Sequence, residues 1–350
     1  MEYRRLGSSG LQVSQICLGS MTWGLQNNQH DADEQINFAL AKGVNFIDTA
    51  EMYAVPPSPD TYGKTEQIIG SWLSRHKEKR ADVIIATKIA GGGLPWIRGG
   101  APITGQAVSA AIDASLQRLQ SDYIDLYQLH WPNRVSPHFG KHWPNLTTPS
   151  KEDGSAEVDG MLDILQAIGD AVKAGKIRHF GLSDDTPWGI QTYLRLAELH
   201  NLPKVVSIQN EFSLLHSKDW PYLIEQCIHE DIAYLPWSPL AGGALSGKYL
   251  GGARPEGTRW SLVQRQGLFR DTPLSNEAIK AYADIAARHQ LTPAQLALAW
   301  CNQIDGVTST IIGATSMAQL KENFTAFSLP LSAELKAEID AVLKRYPAPF

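Results

Sequence analysis

From residue 16 onward, short apolar runs rich in Val and Ile alternate with longer segments whose apolar positions recur every three to four residues. An apolar run without polar alternation is the pattern of a strand covered on both faces, and the longer period is that of an amphipathic helix. The runs predict strands at Ile16–Ser20, Asn45–Asp48, Val83–Thr87, Ile124–Leu129, His179–Ser183, Val205–Gln209, Ala233–Trp237 and Thr308–Ile312. The helical period predicts helices at Ala32–Ala41, Lys64–Arg75, Ala107–Leu119, Met161–Lys173, Ile190–His200, Trp220–Glu230, Asn276–His289 and Met317–Phe324. Thr292-Pro293-Ala294-Gln295 sets an N-cap, an N1 proline and an N3 glutamine in order, which predicts one helix more; Ser316 with Gln319 predicts a second capping box.

Strand–helix units in series predict a closed parallel (β/α)8 barrel of TIM type, forming one domain over residues 1–350. Residues 1–16 alternate around Gly7-Ser8-Ser9-Gly10 and predict a hairpin that plugs one end of the barrel. At the other terminus, residues 331–350 predict a helix near Ser332–Arg345 and a tail, whose prolines stop the helix and which is expected to lie across the barrel. Three long loops, Ala54–Tyr62, Trp131–Val158 and Ala241–Leu274, each follow a strand. In a parallel barrel they all emerge at the carboxyl-end face, where sites are built.

Composition changes this picture little. The 43% hydrophobic and 19% charged residues suit a large buried core, and a net charge of -5 gives no electrostatic reason to bind nucleic acid. Cys17, Cys227 and Cys301 lie far apart in apolar stretches and are expected to be buried thiols. No apolar run reaches the roughly 18 residues of a membrane span, and the first residues lack a signal-peptide pattern, so a cytoplasmic location is expected.

Polar residues at the carboxyl ends of barrel strands project into the mouth. Asp48 ends the second strand, with Tyr53 five residues on; Lys88 follows the third and His130 the fourth. These residue types can deliver a proton to a carbonyl oxygen. A phenol is a poor acid near neutrality, so an adjacent Lys88 ammonium is expected to favour the phenolate and make the phenol more acidic. A buried ammonium needs a carboxylate, which gives Asp48 a role, and His130 can orient the substrate oxygen.

The segments GVNFIDTAEMY, IATK, LYQLHWP, GLSD, IQNEFS, WSPLAGG, SGKY and IIGATSMAQLKEN, in this order and spacing, resemble the motifs of the aldo-keto reductase superfamily over nearly the whole chain. Within it the chain is most similar to bacterial Tas-type reductases and, more distantly, to the β-subunits of voltage-gated potassium channels. The resemblance implies reduction of an aldehyde or ketone with NADP(H), Tyr53 acting as general acid, Lys88 and Asp48 tuning it, and His130 orienting a small-molecule carbonyl substrate. It further implies that Ser183, Asp184 and Gln209 hold the nicotinamide carboxamide while Trp237 stacks on the nicotinamide. Ser238, Pro239, Leu240, Gly242, Lys248 and Arg259 would line the pyrophosphate, and Gly313, Thr315, Ser316, Gln319, Glu322 and Asn323 the adenosine end. Thr22 and Trp23 would border cofactor and substrate, and Asp48 lies beside both. Asp184 stands where many relatives carry asparagine, and Thr315-Ser316 where many carry basic residues.

Other assignments compete with these. Lys88 alone would suit a Schiff-base lyase, and the likeness to channel subunits allows a nonenzymatic NADPH sensor. His138 and His142 have HxxxH spacing but lack the glutamate of a zinc motif, so no metal is expected. Gly19 and Gly24 lack the Lys-Ser/Thr of a P-loop, and no GxGxxG run predicts a Rossmann domain. Asp185 reads as an exposed turn acid. Trp96, Trp131 and Trp143 are expected in mouth loops, with Trp23, Trp96 and Trp131 joining Tyr53 and His130 around the substrate, whereas Trp72 and Trp300 are expected to pack in helices. The oligomeric state stays open.

Overall fold

A computed structural model of the chain describes residues 1–135, 137, 139–143, 154–262 and 267–350. Eight parallel strands follow one another around a single sheet: β3 (Ile16–Gly19), β4 (Phe46–Asp48), β5 (Ile84–Ile89), β6 (Ile124–Leu129), β7 (Ile177–Ser183), β8 (Val205–Gln209), β9 (Ala233–Tyr234) and β10 (Thr310–Ile312). β10 pairs back onto β3. The ring closes between β9 and β10 through Thr308 N donating to Tyr234 O at 2.9 Å and Ile311 N to Pro236 O at 3.0 Å. The (β/α)8 barrel is therefore present, as the alternation of apolar runs implies.

Each expected helix lies on the outside: α1 (Gln29–Ala41), α2 (Lys64–Arg75), α3 (Gly105–Leu119), α4 (Gly154–Lys173), α5 (Pro187–His200), α6 (Tyr222–His229), α7 (Pro273–Arg288), α8 (Pro293–Asn302), α9 (Met317–Thr325) and α10 (Ala333–Arg345). Their start signals are legible in the chain. Thr292 and Gln295 form the reciprocal capping box of the additional helix α8. At α9 only half of the expected box forms: Ser316 accepts from Gln319 N, but the Gln319 amide oxygen takes Thr315 N and Thr315 Oγ1 instead.

The amino-terminal hairpin, β1 (Tyr3–Arg5) and β2 (Gln12–Ser14), seals the end of the barrel away from the strand carboxyl termini. Its turn presses so closely that a Cβ on Gly7 would stand 2.3 Å from Val206 O, at a φ of +52 that favours glycine. Leu6 and Val13 of the hairpin join Cys17, Phe46, Ile84, Ala86, Leu126, Val206, Ala233, Leu235 and Ile311 in a core inside the barrel. A larger apolar layer lies between strands and helices and includes Trp72 and Trp300. The three cysteines are buried free thiols, as their apolar surroundings imply. No described helix is long and apolar enough to cross a membrane.

Candidate active site

The side-chain alternation that fills the barrel interior also builds its polar upper layer. Phe46 faces inward, so Asp48 two residues later does too; Ile84 and Ala86 lead to Lys88 in the same way, and Leu126 to Gln128. β5 runs on to Ile89, which places Lys88 within the strand rather than after it. There Lys88 is wholly buried and donates to Asp48 Oδ2 at 2.7 Å and to Thr49 O at 2.8 Å. The other Asp48 oxygen accepts from Gln209 Nε2 at 2.8 Å and from Gln128 Nε2 at 3.4 Å. Burying an ion pair costs several kcal/mol per charge unless such hydrogen bonds satisfy it, and here they do.

Tyr53 is carried by the loop after β4. Glu51, fully buried, anchors that loop: its carboxylate accepts from Ala90 N at 2.6 Å and pairs with Arg98 at 2.8 Å. The Tyr53 ring thereby meets the Lys88 ammonium at 5.2 Å from its centroid and the His130 ring edge-on at 5.6 Å. His130 follows β6, with its backbone N held by Ile89 O at 2.9 Å. The four residues predicted to act together thus stand together.

Their electrostatics differ from the expectation in one respect. Burial raises the Tyr53 phenol above its ordinary value, and the opposing pull of Lys88 does not cancel that rise. The phenol is made less acidic, because removing an anion from water costs more than one ammonium already neutralised by Asp48 returns. For Lys88 the balance runs the other way. Burial pushes its ammonium down, but Asp48 and Tyr53 more than compensate and hold it above the usual lysine value.

A second cluster lies where the loop after β9 turns through Gly242 and Gly243, both at positive φ. A Cβ on Gly242 would stand 3.6 Å from a guanidinium nitrogen of Arg259 and 3.6 Å from one of Arg270; a Cβ on Gly243 would be 3.0 Å from Lys248 Nζ. Three cations therefore surround a turn stripped of side chains, an arrangement suited to an anion. Among the described residues no carboxylate pairs with Arg259, whose nearest polar partner is Met21 Sδ at 3.4 Å. Burial, reinforced by repulsion from Arg270, brings its guanidinium down to about 10. Burial and Arg259 likewise depress Lys248.

The aldo/keto reductase family profile matches residues 15–344. The chain belongs to this family. It is an NAD(P)H-dependent oxidoreductase, and along its full length it is 43% identical to the protein tas of Escherichia coli strain K12 and to that of Shigella flexneri, with all of both proteins covered.

The other positions expected at the reductase's mouth fall into three groups. Ser183, Asp184 and Gln209 end neighbouring strands, paired Ser183 to Gln209, and Asp184 Oδ1 accepts from the Trp237 indole N–H at 2.9 Å. Burial, with Glu211 and Asp219 adding to it and Trp237 and Lys88 opposing, drives the Asp184 carboxyl well above the ordinary range. Ser238, Pro239 and Leu240 lead from Trp237 into the glycine turn, where Ser238 has a φ of +53. Gly313, Thr315, Ser316 and Gln319 are exposed about the start of α9, with Glu322 and Asn323 farther along that helix.

One of the tryptophans expected around the substrate does not stand there. Trp23 is completely buried and its indole N–H donates to Gln35 at 3.1 Å, so its ring has no surface to offer a ligand; Thr22 beside it is buried as well. Trp96 and Trp143 are exposed. Trp131 is half-buried, touches His130 at 5.1 Å between centroids, and packs over Gly91, where a Cβ would be 2.0 Å from its ring nitrogen. Asp185, expected to be exposed, is buried and paired with Arg134. His138 lies outside the described residues, while His142 bonds the backbone oxygen of Phe350 at 2.9 Å. Sequence reasoning missed Gln128, Glu51 and Arg270. The first was accessible from strand alternation; the other two depend on contacts across loops.

Proposed function

We propose that the chain reduces an aldehyde or ketone to the alcohol with NADPH, Tyr53 supplying the proton to the carbonyl oxygen. The observation that carries this is the convergence of Tyr53, Lys88, Asp48 and His130 at the carboxyl end of the barrel. When bound, the dinucleotide supplies the hydride; everything else falls to the chain's own side chains. Burial keeps the phenol protonated at neutral pH, so its proton is in place when the carbonyl oxygen gains charge, and the ammonium beside it stabilises the phenolate left behind. Two of the three Lys88 N–H groups are taken by Asp48 and Thr49, which leaves one for the phenol. The His130 ring, edge-on to Tyr53, can hold the same oxygen from the opposite side.

Ser183, Asp184 and Gln209 would hold the nicotinamide amide and Trp237 its ring, with Thr22 and Asp48 behind them. The residues Ser238, Pro239, Leu240, Gly242, Lys248 and Arg259 would receive the pyrophosphate. At the adenosine end, Gly313, Thr315, Ser316 and Gln319 stand about a helix amino terminus, which favours an additional phosphate, and Glu322 and Asn323 would meet the nucleoside farther along that helix. The Arg259 guanidinium, with no carboxylate partner among the described residues, supports an anionic ligand of high charge. A small carbonyl compound would enter beside His130 and Trp131.

The test is a panel of aldehydes and ketones followed by oxidation of NADPH and of NADH. Repeated turnover with NADPH preferred is the expected result. One cofactor oxidation per chain, without turnover, would support a sensor instead, and failure to bind either dinucleotide would end the proposal.

A further inference from the structure

We infer that Phe350 is a positioning residue for the phosphate-binding turn, acting through Arg270; this rests on the dinucleotide assignment proposed above. The tail begins as its prolines require: it leaves α10 and cannot form a helix, so its backbone groups must find partners elsewhere. Pro349 O finds them at the start of α7, accepting from Thr272 Oγ1 at 2.5 Å and Ser275 Oγ at 3.2 Å. The tail is thus pinned beside α7, and the Phe350 side chain packs among the loops that carry His142, His216 and Phe269.

There the Phe350 ring stacks on His216 at 5.8 Å and 19° and meets Phe269 edge-on at 5.6 Å. The Arg270 guanidinium carbon lies 5.9 Å from the Phe350 centroid and 4.3 Å from that of Phe269, so two aromatic rings bound it. Glu211 holds it by its side, one carboxylate oxygen accepting from Nε at 2.7 Å and from Nη2 at 2.5 Å. That leaves Nη1, the atom 3.6 Å from where a Cβ on Gly242 would stand. Arg270 is 2% exposed and Glu211 5%. A guanidinium fixed on three sides loses little freedom when an anion arrives, and that pre-organisation is what Phe350 contributes.

Without the ring, the space between His216, Phe269 and Arg270 opens and the guanidinium can turn away from Gly242. The experiment is fluorescence titration of NADPH into the full chain and its Phe350→Ala and Phe350→Leu variants at several salt concentrations, with circular dichroism to establish folding. Phe350→Ala is expected to weaken NADPH binding about tenfold and to flatten the dependence of log Kd on salt, since one cationic contact is lost. Phe350→Leu, still large and apolar, should stay within about threefold. At saturating NADPH the kcat should change less than about twofold, because Tyr53 and His130 are untouched. In a Glu211→Gln, Arg270→Gln background, chosen to strand no charge, Phe350→Ala should add nothing.

NADPH affinity of Phe350→Ala equal to the parent's would overturn the inference while leaving the proposed function standing; so would a weakening with an unchanged salt slope, or one that persists in the double variant. An unmodified chain that does not bind NADPH would overturn both. Should Phe350→Ala not fold, Arg270→Lys carries the test, because lysine cannot grip Glu211 side-on and still reach Gly242. Undiminished NADPH affinity in that variant overturns the inference.

Discussion

The Lys88 ammonium lies 2.7 Å from Asp48 Oδ2 and 5.2 Å from the centre of the Tyr53 ring, with no solvent exposure of its own. One cation is thereby shared between a carboxylate that makes its burial tolerable and a phenol whose anion it would stabilise. Several consequences can be measured.

Tyr53→Phe removes the proton donor and leaves the ring. Carbonyl reduction should fall by about 10²–10⁴-fold, the usual contribution of a positioned acid, while NADPH affinity stays within about twofold. Steady-state kinetics with a cofactor titration check this; near-full turnover in the variant would remove Tyr53 from its role.

The pH dependence of reduction follows from the direction of the phenol's shift. Burial raises its pKa above the ordinary value of about 10, so the protonated, donating form persists through neutrality and is lost only as pH rises through the raised value. The basic limb of the kcat/KM profile assigned to Tyr53 should therefore fall above pH 10. A Tyr53-dependent limb centred below pH 9 would contradict it.

Asp48→Leu should be far more destructive than Asp48→Leu combined with Lys88→Met. The single change strands a fully buried ammonium and costs about 3–5 kcal/mol, whereas the double change replaces the pair with apolar groups and recovers most of that loss. Both variants should be inactive. Denaturant unfolding separates them; equal destabilisation would mean that the stranded charge is not what unfolds the single variant.

Asp184 offers a test of linkage. Its carboxyl is raised in the folded chain, so its contribution to stability is full below the unfolded carboxylate value of about 3.9 and is lost as pH rises through the folded value. Asp184→Asn keeps an oxygen for the Trp237 indole and cannot ionise. Its melting temperature relative to the parent should therefore climb as pH is raised from 4 to 8. A constant difference over that range would show that Asp184 does not titrate with folding.

Much of the site was legible along the chain because barrel strands carry their information locally. An apolar run of alternating faces dictates both the strand and the direction of the polar residue at its end, so Asp48, Lys88 and His130 could be assigned to the mouth before any contact was known. The ordered motifs placed Tyr53, the glycine turn and the start of α9 in the same way. Where the expectations failed, the quantity was not local. Trp23 was placed at the pocket, but the Gln35 amide captures its indole in the core. Asp185 looked like a turn acid until Arg134, on another loop, proved to pair with it.

What the sequence determined by itself is the succession of eight strands and their helices, and the kinds of groups gathered at one face, since these depend on period and order. Only the tertiary structure decided how those groups balance: that burial outweighs Lys88 in setting the Tyr53 phenol, and that Glu211 and Phe350 grip Arg270 beside Gly242. Desolvation and long-range packing depend on everything that surrounds a side chain in space, and residues 211, 242, 270 and 350 become neighbours only when the barrel closes.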